Sequence, residues 1–462
     1  MEDRKKTELF EQMPVPKAVA TLAIPTMLSS LVMVLYNLAD TYFVGMLNAP
    51  AQTSAVTLAA SVLLAFNAVN NLFGVGCSSM MSRAMGRKDY DTVARSSAFG
   101  FYCSILGGLL ISIGCTLFKD PLLALLGAKS DAATAEATAQ YMLWTVSFGA
   151  IPAILNVVMA YMVRAEGAAL HASVGTMSGC LLNIVLDPIF IMPWGFNMGA
   201  AGAGLATFLS NCVACAYFFV LLYVKRKNTL VCIRPKMFAC QREIVRGVFI
   251  VGLPDSIQNL LNVTGMTLLN RFTAGYGTTA VAAMGIAYKI YMVPLQVALG
   301  LSQGIMPLIS YNFASGNIPR LKKSFLFTTK ITLTALLAVA AGYFAFAGGL
   351  VRMFMDNEEV IAYGTAFLRG FSLGLPFICL DFMGVGVFQA VGLGQYALLF
   401  AILRKIVFEI PGLLLLNLIF PLYGLPYAQA VAEILLSGIA VIILARLFRK
   451  WDEKKPAQGM AS

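Results

Sequence analysis

The sequence predicts an all-α polytopic membrane protein: twelve transmembrane helices in two parallel six-helix repeats, or lobes, enclosing a central cleft. Three observations predict this. The chain of 462 residues is 59% hydrophobic and only 12% charged, whereas soluble proteins carry about 25% charged residues. Twelve apolar stretches follow one another at 18–46, 55–82, 94–117, 137–162, 172–192, 200–224, 245–272, 280–310, 325–347, 361–390, 398–420 and 424–448, and about 20 apolar residues suffice to cross a bilayer. Prolines and glycines recur at near-constant offsets between the halves: Pro25 and Pro254 are 229 apart, Gly86 and Gly316 230, Pro152 and Pro376 224, Gly199 and Gly424 225. Repeats of six helices keep their orientation, so they are related by an axis along the membrane normal.

The charge pattern sets the topology. A net charge of +11 would suit nucleic acid in a soluble chain, but here the bases gather in alternate short loops, which marks the cytoplasmic side. Arg4, Lys5, Lys6 and Lys17 precede the first stretch, and Arg83, Arg87, Lys88 and Arg95 follow the second. Lys225, Arg226, Lys227, Arg234 and Lys236 lie after the sixth, Arg320, Lys322 and Lys323 after the eighth, Arg404 and Lys405 after the tenth. Arg446, Arg449, Lys450, Lys454 and Lys455 end the chain. Both termini are therefore placed in the cytoplasm of a multi-pass cell-membrane protein, as an even helix count also requires. The expected division is a cytoplasmic N-terminal segment (1–17), an N-lobe (18–224), a cytoplasmic linker (225–244), a C-lobe (245–448) and a cytoplasmic tail (449–462). The N-terminus is charged and shows no cleavable apolar core, so no signal peptide is expected. Nine scattered cysteines without a C-x-x-C pair predict neither a disulfide framework nor a resident metal.

The first helix, TLAIPTMLSSLVMVLYNLADTYFVG over 21–45, carries Asp40. A carboxylate there costs about 2.5–3.5 kcal/mol on insertion scales, so such acids are usually functional. Tyr36 at i−4 and Asn37 at i−3 share its face. Pro25 frees the carbonyl of Thr21 and gives the helix a hinge. The plain structural alternative is an aspartate at the outer interface beside Asn48. In the fifth helix, GCLLNIVLDPIFIM, Asn183 and Asp187 are i,i+4 neighbours, and Pro188 leaves the carbonyl of Ile184 without its helical partner. A carboxylate, an amide and a free carbonyl are hard oxygen ligands for a small cation, and they suit a proton equally well. Thr207 in the sixth helix falls at a similar depth. A helix-end cap is the structural alternative for Asn183 and Asp187, and packing for Thr207.

The second half has its own polar set. Asp381 lies deep in the tenth helix and pairs by repeat with Asn156. Lys289 lies inside the eighth, and an unpaired lysine there is as costly as an unpaired acid. Neutralisation by Asp381, Asp255 or Glu409 is the expectation. Glu433 in the twelfth helix is a further candidate, and Asp255, after Pro254, reads as an acid at a helix start. His171, the one histidine, is expected to face solvent in the turn after the fourth helix. No cluster suited to covalent or metal chemistry is visible, which argues against an enzyme.

These strings resemble the multidrug and toxic compound extrusion (MATE) transporters, prokaryotic branch. The likeness rests on Pro25 with YNLADTYFVG, SRAMGRKD, RAEGAA, NIVLDPIFI with GAAGAGLAT, and the GLP that opens the seventh helix, and it covers nearly the whole chain. It implies a twelve-helix fold with a V-shaped cleft and antiport of cationic or amphipathic drugs against Na+ or H+. It places the first-lobe ion site on Asp40, Asn156, Asn183, Asp187 and Thr207. Asp381 matches an aspartate of the tenth helix, but the glutamate that some relatives carry within the seventh has no counterpart in NLLNVTGMTL. The expected partners are small organic substrates and the bilayer, with no nucleic acid and a monomeric state. No cofactor is expected beyond the coupling ion. The runner-up is a flippase for a lipid-linked saccharide, a class that lines its cleft with cations, of which this chain offers Lys289 and Arg369.

Overall fold

The structure, a computed structural model, describes residues 8–47 and 49–453. Arg4, Lys5, Lys6, Asn48, Lys454 and Lys455 lie outside them. The described chain is helical throughout, without a strand. In order the helices are α1 (Val15–Met46), α2 (Ala51–Gly86), α3 (Tyr90–Leu117), α4 (Ala132–Phe148 with Ala150–Ala165), α5 (Ala169–Ile191) and α6 (Gly199–Val224). There follow α7 (Arg242–Ala274), α8 (Thr278–Ala314), α9 (Ile318–Arg352), α10 (Glu358–Ser372 with Leu375–Ala390), α11 and α12 (Gly424–Glu453). Helix α11 is Gly394–Ile402, Leu403–Glu409 and Ile410–Ile419 end to end. Nine are long and apolar enough to span by themselves, while α4 and α10 qualify as pairs bent by 50° and 45°. The twelfth, α11, is interrupted by the charges of its π-helical stretch Leu403–Glu409. The twelve helices read from the sequence are all present.

The repeat is visible in the turns. Gly167 and Gly392, at φ 91° and 81°, close α4 and α10. Each is a left-handed residue that only glycine adopts without cost. The hydrogen bonds also match: Gly167 and Ala168 donate to the carbonyls of Arg164 and Val163, Gly392 and Leu393 to those of Gln389 and Phe388. The turn between α2 and α3 corrects the register expected there. Asp89 caps α3 by accepting from the amide of Thr92 at 3.1 Å, and Asn317 caps α9 by accepting from Arg320 at 3.3 Å. These caps are equivalent, so Gly316 pairs with Lys88, which holds the left-handed φ of 60°, rather than with Gly86.

Two compact units emerge from the packing, one built on Leu28–Ser256 and the other on Phe10–Met27 with the chain from Ile257 onward. The repeats are expected from the sequence to divide at the 225–244 linker, whereas the packing units divide inside α1 and α7. Each break falls two residues past a proline, Pro25 or Pro254. Close contacts explain the assignment. In the first unit a Cβ on Gly76 of α2 would stand 2.5 Å from the Val248 carbonyl oxygen of α7. The Ser256 hydroxyl donates to the Ala68 carbonyl at 2.7 Å. In the second unit a Cβ on Gly304 of α8 would stand 2.6 Å from Cα of Ala23 in α1. Ahead of α1, Phe10 stacks on Tyr311 at 4.8 Å, and Arg320 donates to the carbonyls of Phe10 and Met13 at 2.6 and 2.7 Å.

The linker is seated on the first unit. Glu166, in the RAEGAA string, accepts from the amide of Leu230 at 2.7 Å and from the Thr229 hydroxyl at 3.1 Å. Tyr102 donates to the Ile233 carbonyl at 2.8 Å. Two expectations are corrected nearby. His171 is not in a solvent-facing turn but in the first turn of α5, half-buried, with Nδ1 3.2 Å from the Tyr217 hydroxyl and Nε2 2.9 Å from Lys225 Nζ. Asp255 is not at a helix start, because Pro254 lies inside the continuous 33-residue α7.

Candidate functional site

The expected polar groups of the first repeat meet in the first unit. Helix α1 contributes Tyr36, Asn37 and Asp40; α4 contributes Asn156; α5 contributes Asn183 and Asp187; α6 contributes Thr207. A cavity of 270 Å³ is lined by Tyr36, Asn37, Asn156, Asn183, Thr207 and Asn211 among others. Asp40 and Asp187 follow one helical turn beyond two of these, Tyr36 and Asn183, on the same faces.

Asp187 is wholly buried, and Asn183 is 2% exposed. The Asn183 amide stands 3.3 Å from the Thr207 hydroxyl. Turned so that its nitrogen faces the carboxylate, it donates to Asp187 Oδ2 at 2.8 Å while its oxygen accepts from the Thr207 amide at 3.0 Å. This orientation satisfies both ends of the side chain, which is the basis on which amides are assigned. Asn156 donates to Asn211 Oδ1 at 2.9 Å and to the Pro152 carbonyl at 2.9 Å. Tyr36 lies beside Thr207, and both line the cavity. Asp40 is partly exposed, but its Oδ1 is buried without a hydrogen-bond partner. Asp40 and Asp187 are close enough for their charges to repel. Among the described residues neither forms an ion pair with a lysine, arginine or histidine. The site is a pair of neighbouring carboxylates, held by amides and hydroxyls, with no cation of the protein's own.

Sequence reasoning missed two members. Tyr141 of α4 is buried and feels the charges of Asp40 and Asp187. Asn211, one turn beyond Thr207, was readable as its i+4 partner.

The second unit differs from expectation. Arg404 and Lys405 do not lie in a cytoplasmic loop but in the middle of α11, buried. Arg404 Nη1 is 3.2 Å from Asp381 Oδ2, and Nη2 is ion-paired with Glu433. Lys405 Nζ contacts both oxygens of Glu409 at 2.7 and 2.6 Å. Asp381 and Glu409 are thus already paired, and Lys289 is neutralised by neither of them. It is exposed and makes no ion pair among the described residues. The reason is helical phase. Tyr288 and Tyr291 of α8 are the residues that feel Arg404 and Glu409, and Lys289 stands about 100° round the helix from Tyr288. A readable signal existed: Lys405 and Glu409 are i,i+4 within an apolar run, and two buried acids elsewhere needed a partner.

Comparison with known proteins shows the family. The family profile MatE matches residues 25–189 and 254–415. The multidrug export protein MepA of Staphylococcus aureus is 32% identical over 439 residues, covering 94% of each chain. A solved multidrug resistance MATE family transporter of the MOP superfamily, in an outward-facing conformation, superposes with a TM-score of 0.90 at 27% identity, over 97% of this chain and 99% of that one. A MATE solved in a bent conformation gives 0.88 at 28% identity with the same coverage. With twelve spanning helices, a repeat visible in its turns and a profile match reaching across both repeats, this chain belongs to the MatE family of membrane transporters.

Proposed function

We propose that the protein is a secondary active antiporter that exports cationic or amphipathic small organic compounds in exchange for H+ or Na+. The export activity is supported by the MepA relatives. The observation that carries the coupling mechanism is the pair Asp40 and Asp187: two mutually repelling carboxylates in a spanning region, with no cation of the protein's own. Charge in such surroundings is costly, so the pair has a standing affinity for a small cation. Asn183 orients Asp187, while Thr207, Tyr36 and Asn156 supply neutral oxygens around the cavity, and the Ile184 carbonyl opposite Pro188 supplies another. Binding of the ion from outside removes the repulsion between α1 and α5. Helix α1 is hinged at Pro25, so neutralisation biases it toward a bent form that narrows the cavity and displaces the substrate outward. Its relatives include a MATE in a bent conformation, which supports this step. The ion then leaves to the cytoplasm, the side on which the basic loops lead us to expect both termini. Coupling needs the ion to bind one conformation better than the other.

A lipid-linked saccharide carrier would need cations to hold its phosphates. The first-unit cavity is lined by amides, hydroxyls and apolar groups, and Arg369 is occupied with the Phe344 carbonyl at 3.0 Å. The test is efflux of ethidium from cells or proteoliposomes with the proton and sodium gradients imposed separately. Asp40→Asn and Asp187→Asn should each abolish gradient-driven export while leaving a folded, inserted protein. Normal export by both variants under either gradient would sink the mechanism.

A further inference from the structure

We infer that the first unit carries a lipid site between α3 and α4, and that its occupant is an aminophospholipid headgroup, with its phosphate on Lys119 and its ammonium on Glu136. The site goes beyond the proposed coupling cavity, with which it shares no lining residue.

The observation is a lysine and a glutamate that line one cavity without meeting. The cavity, of 440 Å³, is lined by Thr116, Lys119, Glu136, Gln140, Leu143 and Ser147 among others. Among the described residues neither Lys119 nor Glu136 belongs to an ion pair. The other acids nearby are taken. Asp120 stands 3.7 Å from Lys129, and Asp131 accepts from the amide and hydroxyl of Thr134 at 3.0 and 2.9 Å. The cavity thus offers one charge of each sign with space between them. A ligand bearing both charges satisfies both groups, whereas a ligand of one sign is attracted by one and repelled by the other.

The floor of the cavity is built. Ser112 donates to the Ser147 carbonyl, and Thr116 donates to the Ser147 hydroxyl at 2.8 Å, which ties α3 to α4. Ser147 lies in the π-helical stretch Leu143–Phe148 of α4, a distortion that recurs at functional sites. Gln140 donates to Glu136 at 3.2 Å, an i,i+4 contact that holds the carboxylate at the rim.

Position identifies the zwitterion as a lipid. The span α3 ends at Leu117, at the end remote from the basic turn of Arg87 and Lys88, and Lys119 stands two residues beyond it. Glu136 lies in the second turn of Ala132–Phe148. Both charges therefore stand at the ends of apolar spans, where headgroups meet acyl chains. Leu117 and Phe118, between the lining residues Thr116 and Lys119, are 74% and 65% exposed, and Leu143 inside the cavity is exposed as well. Acyl chains cover such residues; a water-soluble zwitterion would leave them bare. Lysine binds phosphate as a point charge, and a primary ammonium has three donors for the Glu136 carboxylate and the Gln140 amide oxygen.

The test is native mass spectrometry of the full-length protein in detergent micelles containing dioleoyl phosphatidylethanolamine or dioleoyl phosphatidylglycerol. The expected result is one phosphatidylethanolamine retained per chain, in preference to phosphatidylglycerol, which brings a phosphate without an ammonium. Lys119→Met and Glu136→Gln should each weaken that retention roughly tenfold, as expected for the loss of one charge-assisted contact. Glu136→Gln should also raise phosphatidylglycerol to the level of phosphatidylethanolamine, because the repelling carboxylate is gone. Both side chains are exposed, so both variants should unfold at the parent's temperature. Equal retention of the two lipids by the parent, or undiminished phosphatidylethanolamine in both variants, would overturn the inference. So would displacement of the lipid by an equimolar amount of soluble glycerophosphoethanolamine. These readings are of binding alone, so failure of the antiport mechanism would leave them unchanged.

Discussion

Lys405→Met isolates the energetic role of the buried pair in α11. The lysine is 8% exposed and Glu409 7% exposed, with both carboxylate oxygens on the ammonium. Removing one partner of such a pair costs about 3–5 kcal/mol, because the other charge is left buried. An independent route gives a similar figure. An orphaned buried carboxylate escapes by taking up a proton, and for a glutamate ordinarily titrating near 4.3 this costs about 1.36 kcal/mol per pH unit above that value. At pH 7 the penalty is therefore capped at about 3.7 kcal/mol, a several-hundredfold shift in the folded ratio, and at pH 5 it falls to about 1 kcal/mol. The sign follows from linkage: the folded variant binds one more proton than the unfolded chain, so its stability falls as pH rises. Denaturant or thermal unfolding in detergent micelles at pH 5 and pH 7 reads the difference. Lys405→Met/Glu409→Leu should recover most of the loss and its pH dependence, since an apolar pair of similar volume is often as stable as the ions. A single variant as stable as the parent at pH 7, or a deficit independent of pH, would refute the assignment of this pair as a buried ion pair.

Other expectations follow from the same geometry. Asn183→Ala removes a donor to the Asp187 carboxylate at 2.8 Å; at about 1.5–3 kcal/mol for a charge-assisted bond, the apparent affinity for the coupling ion should fall roughly ten- to hundredfold in gradient-driven efflux titrations, with expression unchanged. Lys289→Ala, an exposed residue without an ion pair, should shift unfolding by no more than about 0.5 kcal/mol; a loss of several kcal/mol would restore a partner for it. Pro25→Ala allows the missing α1 hydrogen bond to form, so the protein should remain folded but turn over more slowly, and unchanged efflux rates would remove the hinge from the mechanism.

The sequence disclosed the first-unit polar cluster because its signals are local. Asn183 and Asp187 lie one turn apart beside Pro188, and Tyr36 and Asp40 lie one turn apart on α1, so helical geometry alone places them. The second-unit cluster was hidden by a rule that usually works. An Arg-Lys pair near the edge of an apolar stretch reads as a cytoplasmic anchor, and nothing in the spacing of Arg404 reveals that Asp381 and Glu433 approach it from two other helices. The bends of α4 and α10 leave no mark in the hydropathy pattern. The register of the repeat was legible to within two residues, and the caps at Asp89 and Asn317 then fixed it.

The exchange of half-helices has a consequence for how the molecule can be made. Severed at the 225–244 linker, the chain would yield an N-terminal fragment without the segment of α7 that lies against Gly76, and a C-terminal fragment without the segment of α1 that lies against Gly304. Each fragment would expose a glycine-smoothed seat shaped for a strand of chain now on the other piece. Expressed singly, neither should mature; expressed together, they should reassemble without any covalent join, each half acting as the other's obligate folding partner.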